Sequence, residues 1–124
     1  MRTSRSRVRG LGSAHSGTGH FLLQRATALA NIPLVIYFVF LIASLTGRSH
    51  AAVVSALGEP VNAILLLAAI FSIVVHMRLG MQIIIEDYVH GEAAKMTLLL
   101  INTFFAVGIG LSAAFAVLRI TFGL

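Results

Sequence analysis

Three stretches of this chain run for the length of a bilayer crossing with almost no charge, and that limits what it can fold into before anything else is read. Residues 26–45 and 96–118 contain no Asp, Glu, Lys or Arg, and residues 61–85 contain only Arg78, close to His76. A hydrocarbon core of about 30 Å needs roughly 20 residues at a helical rise of about 1.5 Å each. Inside lipid every backbone N–H and C=O must find its partner within the segment, which makes a helix the default. Composition agrees. The 124 residues are 58% hydrophobic and only 10% charged, where a soluble domain carries about 25% charged residues. The connections are short and leave no length for a soluble domain. The sequence therefore predicts an all-α membrane protein with three transmembrane helices (residues 26–45, 61–85 and 96–118), behind a basic segment over residues 1–25.

The charges predict an orientation. "MRTSRSRVRG" supplies Arg2, Arg5, Arg7 and Arg9, Arg25 stands at the mouth of the first span, and no acid precedes Glu59. Basic residues beside a first span hold that end in the cytoplasm. The loop "TGRSHAAVVSALGEP" then faces outward, "EDYVHGEAAK" returns to the cytoplasm, and the C-terminus lies outside. An Arg- and Ser-rich, acid-poor start also describes an organellar transit peptide. A basic run can bind nucleic acid too, but arginines leading straight into a span favour the topology signal, and no nucleic-acid role is read here. With no cysteine in the chain, disulfides and thiolate-held clusters are excluded.

Local breakers fit the same plan. Pro33 sits about two turns into the first span, where it kinks the helix or needs a neighbour to repair it. Gly58 and Pro60 mark the start of the second helix, and Gly91 suits a helix stop or a turn. Ala106, Gly108, Gly110, Ser112 and Ala113 form a small-residue patch on the third span, suited to close helix packing or to plain lipid contact.

The second span raises the functional question. "SIVVHMRLGMQIIIEDYVHGE" carries His76 nine residues before Ile85, roughly 13–14 Å from that end of the helix. An ionisable group at such depth marks a functional site or a buried partner. A neutral imidazole hydrogen-bonded to the next helix is one reading, and a metal or haem ligand is the other. At about 100° per residue, Gly80, Ile83 and Asp87 lie within about 40° of the His76 direction. Gly80, one turn below, leaves room for a flat group or for a tightly packed helix. Arg78, Gln82 and Glu86 form a separate polar stripe. A helix polar on two sides cannot face lipid on both, so the second span is expected to be the central one. The other histidines, His15, His20, His50 and His90, fall in termini or loops on this reading. A six-coordinate haem would then need its second ligand from another subunit.

"HMRLGMQIIIEDYVHGE" resembles the second helix of the smaller, D-type hydrophobic membrane anchor of succinate dehydrogenase. The shared motif is a histidine, a glycine four residues on, and an Asp-Tyr pair eleven and twelve residues on, here His76, Gly80, Asp87 and Tyr88. "FLLQRATALANIPL" resembles the first helix of that family, with Arg25 in the "RATA" setting. The sister C-type anchor also has three spans and a haem histidine, but it opens on an "RP.SPH"-like stretch that this chain lacks.

The resemblance implies a role within respiratory complex II. An FAD flavoprotein oxidises succinate, an iron–sulfur subunit passes the electrons on, and two three-helix anchors hold both at the membrane and build a ubiquinone site. The chain would itself oxidise no succinate. Its implied partners are the C-type cytochrome b anchor, the iron–sulfur and flavoprotein subunits, ubiquinone and membrane lipid. The implied cofactor is a haem b shared between the anchors. By residue, His76 is the axial ligand to the haem iron, Arg25 a contact to a haem propionate, Tyr88 a hydrogen-bond donor to a quinone oxygen, and Asp87 its support. The implied location is the bacterial inner membrane, the mitochondrial inner membrane having the same topology.

Plainer readings stand beside these. Tyr88 at headgroup depth also suits an interfacial anchor, and Arg25 a topology charge. Arg78 replaces what is often an aromatic residue in that family, and it is expected to snorkel or to pair with Glu86. A non-redox scaffold or transporter subunit, with His76 and Arg78 serving packing or an ion relay, is the alternative function.

Overall fold

The computed structural model describes residues 14–124, with side chains from residue 18 onward. The basic cluster Arg2, Arg5, Arg7 and Arg9 lies outside the described residues. Four helices follow in order: α1 (Ala14–Leu45), α2 (His50–Gly58), α3 (Pro60–Tyr88) and α4 (Glu92–Thr121). Three of them, α1, α3 and α4, are long and apolar enough to cross a membrane, and the described residues hold no strand.

Each helix begins and ends where local chemistry says it should. Helix α1 runs through Pro33 without interruption and stops before Gly47, whose φ of 78° belongs to the left-handed region that glycine enters freely. Helix α2 lies inside the stretch read as a loop. It starts at Ser49, whose hydroxyl accepts from the Ala52 N–H at 3.2 Å and so satisfies one of the free donors of the first turn. Extended Glu59 then separates α2 from α3, and Pro60 opens α3 at a position where its missing N–H has no cost. Helix α3 continues through Glu86, Asp87 and Tyr88, so the Asp-Tyr pair sits in its last turn and not in the loop. Only Val89, His90 and Gly91 connect α3 to α4, and Gly91 caps the start of α4 instead of stopping α3.

Helix α3 is the central element. Both α1 and α4 pack against it, and α2 lies against the end of α4 and the start of α3. Six α3 residues are buried: Ala63, Leu66, Ala69, Ser72, Leu79 and Ile85. Asn102 and Ala106 are the buried residues of α4. The pairings are antiparallel on both sides. Towards α1, Asn62 receives a hydrogen bond from Tyr37 near one end, and Gln82 meets His20 near the other. Towards α4, Val74 faces Gly110, and the Arg78 carbonyl accepts from Asn102 at 3.0 Å. One end of the bundle thus gathers His20, Glu86, Asp87, Tyr88, His90, Glu92 and Lys95, while Arg25 lies deeper along α1, between the levels of Gly80 and His76.

The small-residue patch on α4 divides between two roles. Ala106 is buried, and a Cβ placed on Gly110 would lie 3.5 Å from Val74 Cγ1, so this side packs on α3. Gly108 has nothing within 4 Å of such a Cβ, and with Ser112 and Ala113 it lines an open outward hollow. A leucine side chain at Gly110 would wedge the two helices apart, at an overpacking cost of about 1–3 kcal/mol. Gly110→Leu is therefore expected to lower the thermal unfolding midpoint of the detergent-solubilised protein, and Gly108→Leu to leave it close to wild type.

Candidate functional site

Helix α3 holds His76 twelve residues before its last residue, Tyr88, which puts the two about 18 Å apart along the axis. The side chain is half-buried and turned towards α1. There its Nδ1 lies 3.1 Å from the hydroxyl of Thr27, one of the buried residues of the chain. One turn before His76, the Ser72 hydroxyl donates to the Thr27 carbonyl at 3.2 Å. Two side chains of one α3 face therefore grip a single α1 residue, one by its side chain and one by its backbone. A satisfied pair in an apolar span is worth more than its net energy, because an unsatisfied group there costs about 1–3 kcal/mol or more. Among the described residues His76 Nε2 has no hydrogen-bond partner.

Gly80 lies one turn further along α3. A Cβ there would meet only Gln24 Nε2, at 3.6 Å, an ordinary contact. A groove of about 270 Å³ follows between α1 and α3 towards the Glu86 end. Its polar lining is His20, Gln24, Gln82 and Glu86. Gln82 Nε2 donates to Glu86 Oε1 at 3.0 Å and lies 3.4 Å from His20 Nδ1, while Gln24 Oε1 is buried with no hydrogen-bond partner.

The stripe Arg78–Gln82–Glu86 does not act as one surface. Gln82 and Glu86 border the α1 groove, whereas Arg78 turns to α4 and donates from Nε to Thr103 Oγ1 at 3.3 Å. The expected pairing of Arg78 with Glu86 does not form. The two residues stand eight positions apart, about 12 Å along the helix, and each has a nearer partner: Thr103 for Arg78 and Gln82 for Glu86.

Asp87 and Tyr88 are exposed in the last turn of α3, Tyr88 at 76% of its full surface. Among the described residues neither side chain makes a hydrogen bond or ion pair. Arg25 lies roughly 160° around α1 from Thr27, on the outer side, with its guanidinium 5.1 Å from the centre of the Phe21 ring. The chain by itself therefore joins His76 to α1 but does not bring Arg25, Asp87 and Tyr88 to it. Each of those three is free to meet something outside the chain. No group of three His, Cys, Asp or Glu side chains that could hold a metal ion occurs among the described residues. An axial site asks for one imidazole per chain, and the half-exposed His76, with Nδ1 engaged and Nε2 unengaged, fits that requirement.

Sequence reasoning missed Thr27 and set His20 aside. Both were within reach, because His20, Gln24 and Thr27 recur at the helical spacing that places polar groups on one face.

The family model described as "Succinate dehydrogenase/Fumarate reductase transmembrane subunit" matches residues 1–111. The chain belongs to that family. Among similar proteins, the succinate dehydrogenase hydrophobic membrane anchor subunit of Paracoccus denitrificans is 32% identical, covering 98% of this chain and 93% of its own length. The subunit of the same name from Rickettsia bellii is 31% identical over 82% of this chain and 81% of its own length. The succinate dehydrogenase membrane anchor subunit of Reclinomonas americana is 37% identical over 65% of this chain and 70% of its own length. With three membrane-length apolar helices, the chain is a multi-pass membrane anchor subunit of the succinate dehydrogenase family.

Proposed function

We propose that this chain is the D-type anchor of a succinate:ubiquinone oxidoreductase. It pairs with a C-type cytochrome b anchor, docks the iron–sulfur and FAD flavoprotein subunits at the end carrying Tyr88, and contributes to a haem b site and a ubiquinone site. The observation that carries this reading is His76: an imidazole deep in the central span, tied at Nδ1 and open at Nε2. The family match supplies the complex to which such a ligand belongs.

A haem bound between two anchors supplies a one-electron store within the membrane. Towards that group, His76 is the ligand this chain presents, and Gly80 keeps the helix surface below it low. Arg25, exposed on α1, would be the residue this chain offers to a propionate carboxylate, where its guanidinium would make a paired, charge-assisted contact. At the end of α3, the Tyr88 hydroxyl donates a hydrogen bond to a carbonyl oxygen of ubiquinone, which favours the negative charge that builds there on reduction. Asp87, its neighbour, orients the phenol or passes a proton. Succinate oxidation itself belongs to the flavoprotein.

The basic N-terminal segment, residues 1–25, sets the first end on the cytoplasmic side by the positive-inside bias. The site end carrying Tyr88 shares that side, where the hydrophilic subunits attach. The bacterial inner membrane fits the bacterial relatives.

The test is the dithionite-reduced-minus-oxidised visible spectrum of the purified complex. A b-type spectrum is expected. A complex that transfers electrons from succinate to quinone with no haem signal would remove the ligand role of His76. A preparation with neither haem nor succinate dehydrogenase subunits would return the chain to a non-redox scaffold.

A further inference from the structure

We infer that Thr27 is a positioning residue for His76: it fixes the imidazole tautomer, so that the nitrogen left for iron is Nε2, and it strengthens that nitrogen as a donor. The inference rests on the haem reading above and goes beyond it by assigning a role to an α1 residue through its contact with His76.

Thr27 Oγ1 has three neighbours at hydrogen-bond distance: the Leu23 carbonyl at 2.9 Å, the Gln24 carbonyl at 3.1 Å, and His76 Nδ1 at 3.1 Å. A hydroxyl owns a single proton, and carbonyl oxygens only accept. A helical threonine ordinarily gives that proton to a carbonyl of the preceding turn, here Leu23 or Gln24, as its back-bond. The third contact can then be a hydrogen bond only if Nδ1 carries a proton and donates it to Oγ1. The neutral imidazole has one N–H, so Nε2 keeps its lone pair. This is the tautomer that an axial ligand needs.

The geometry also holds Thr27 in place. Its side chain is 6% exposed, and Ser72 fastens its carbonyl from the same α3 face. Water is therefore a poor substitute for the Thr27 oxygen. A hydrogen bond accepted from the remote N–H of a ligating imidazole raises the basicity of the ligating nitrogen and sets the ring plane. A better donor stabilises the oxidised iron more than the reduced iron, so the bond lowers the haem potential. Its loss raises it.

The experiment uses the whole complex and three variants. Thr27→Val keeps the shape and removes the acceptor, Thr27→Ala relieves packing as well, and Thr27→Ser restores the hydroxyl. The expected result is an upward shift of the haem midpoint potential in the valine and alanine variants. Their low-spin electron paramagnetic resonance g values should shift with it, and the serine variant should return both to wild type. A native potential and native g values in Thr27→Val or Thr27→Ala would overturn the assignment. If neither variant assembles, electron–nuclear double resonance on the wild-type complex in H₂O and D₂O decides. An exchangeable proton on the axial imidazole, hydrogen-bonded within the protein, supports the assignment, and its absence overturns it. His76→Ala separates the two levels: a b-type spectrum retained there removes the haem reading and this inference with it. Haem lost there but unperturbed in Thr27→Val removes only the role of Thr27.

Discussion

Replacing His76 with alanine is expected to abolish or strongly alter the b-type spectrum of the complex, while succinate oxidation measured with a water-soluble acceptor survives. The imidazole is the only candidate for an axial ligand at this depth among the described residues, since His20 lies beside Gln82, about 9 Å nearer the Tyr88 end, His50 opens α2 and His90 is in a connection. Alanine also removes the polar link from α3 to Thr27. The Thr27 hydroxyl keeps its bonds to the Leu23 and Gln24 carbonyls, so no buried donor is orphaned. The structural penalty is then mainly a cavity, about 1–3 kcal/mol by analogy with other large-to-small changes. That is small enough for the complex to assemble and the spectrum to be read. A redox difference spectrum and pyridine haemochrome assay check the result. An unaltered haem signal would show that the iron takes its ligand elsewhere. His76 would then be a packing histidine, which is the plainer of the two readings of its depth.

The spans were legible because bilayer thickness turns a count of apolar residues into a structure. The central position of α3 was legible for a related reason: His76 on one face and Arg78, Gln82 and Glu86 on others could not all meet lipid. What the sequence hid was register. The pairing of Thr27 with His76 depends on how α1 slides along α3, and the intervening loop and α2 leave that to packing along the whole interface. Helix α2 escaped notice because nine residues of "HAAVVSALG" are too few for a span and show no capping box, Ala52 standing where Glu or Gln would reach back to Ser49. Arg78 misled by spacing alone. Eight residues separate it from Glu86, about 80° around the helix and about 12 Å along it, and the Arg78 side chain is taken up by Thr103 on α4. The quinone residues show the opposite limit. Asp87 and Tyr88 were found by their motif, yet within the chain they contact nothing that would mark them, because the surface they face is supplied by other subunits in the proposed complex.

The second large effect is expected at Tyr88, where phenylalanine keeps the ring and removes only the hydroxyl. Tyr88 is exposed at the end of α3 and makes no hydrogen bond within the described chain. Losing the hydroxyl therefore breaks no contact of the folded anchor, and no change in assembly is expected. If the phenol donates to a quinone oxygen, its removal takes away a donor aimed at charge that develops on reduction. One such donor is worth about 10²–10³ in turnover in a closed site. At an exposed helix end the effect is smaller, about ten- to a hundredfold, or about 1.4–2.8 kcal/mol. Succinate-to-quinone turnover should fall by that factor in Tyr88→Phe, with the b-type spectrum intact and succinate oxidation by the upstream acceptor serving as the assembly control. Asp87→Asn should give a smaller loss in the same assay, since it acts through the tyrosine. An interfacial anchor predicts otherwise, because a ring at headgroup depth still partitions there without its hydroxyl. Near-native quinone turnover in Tyr88→Phe would assign Tyr88 to the membrane interface and move the quinone donor to another subunit.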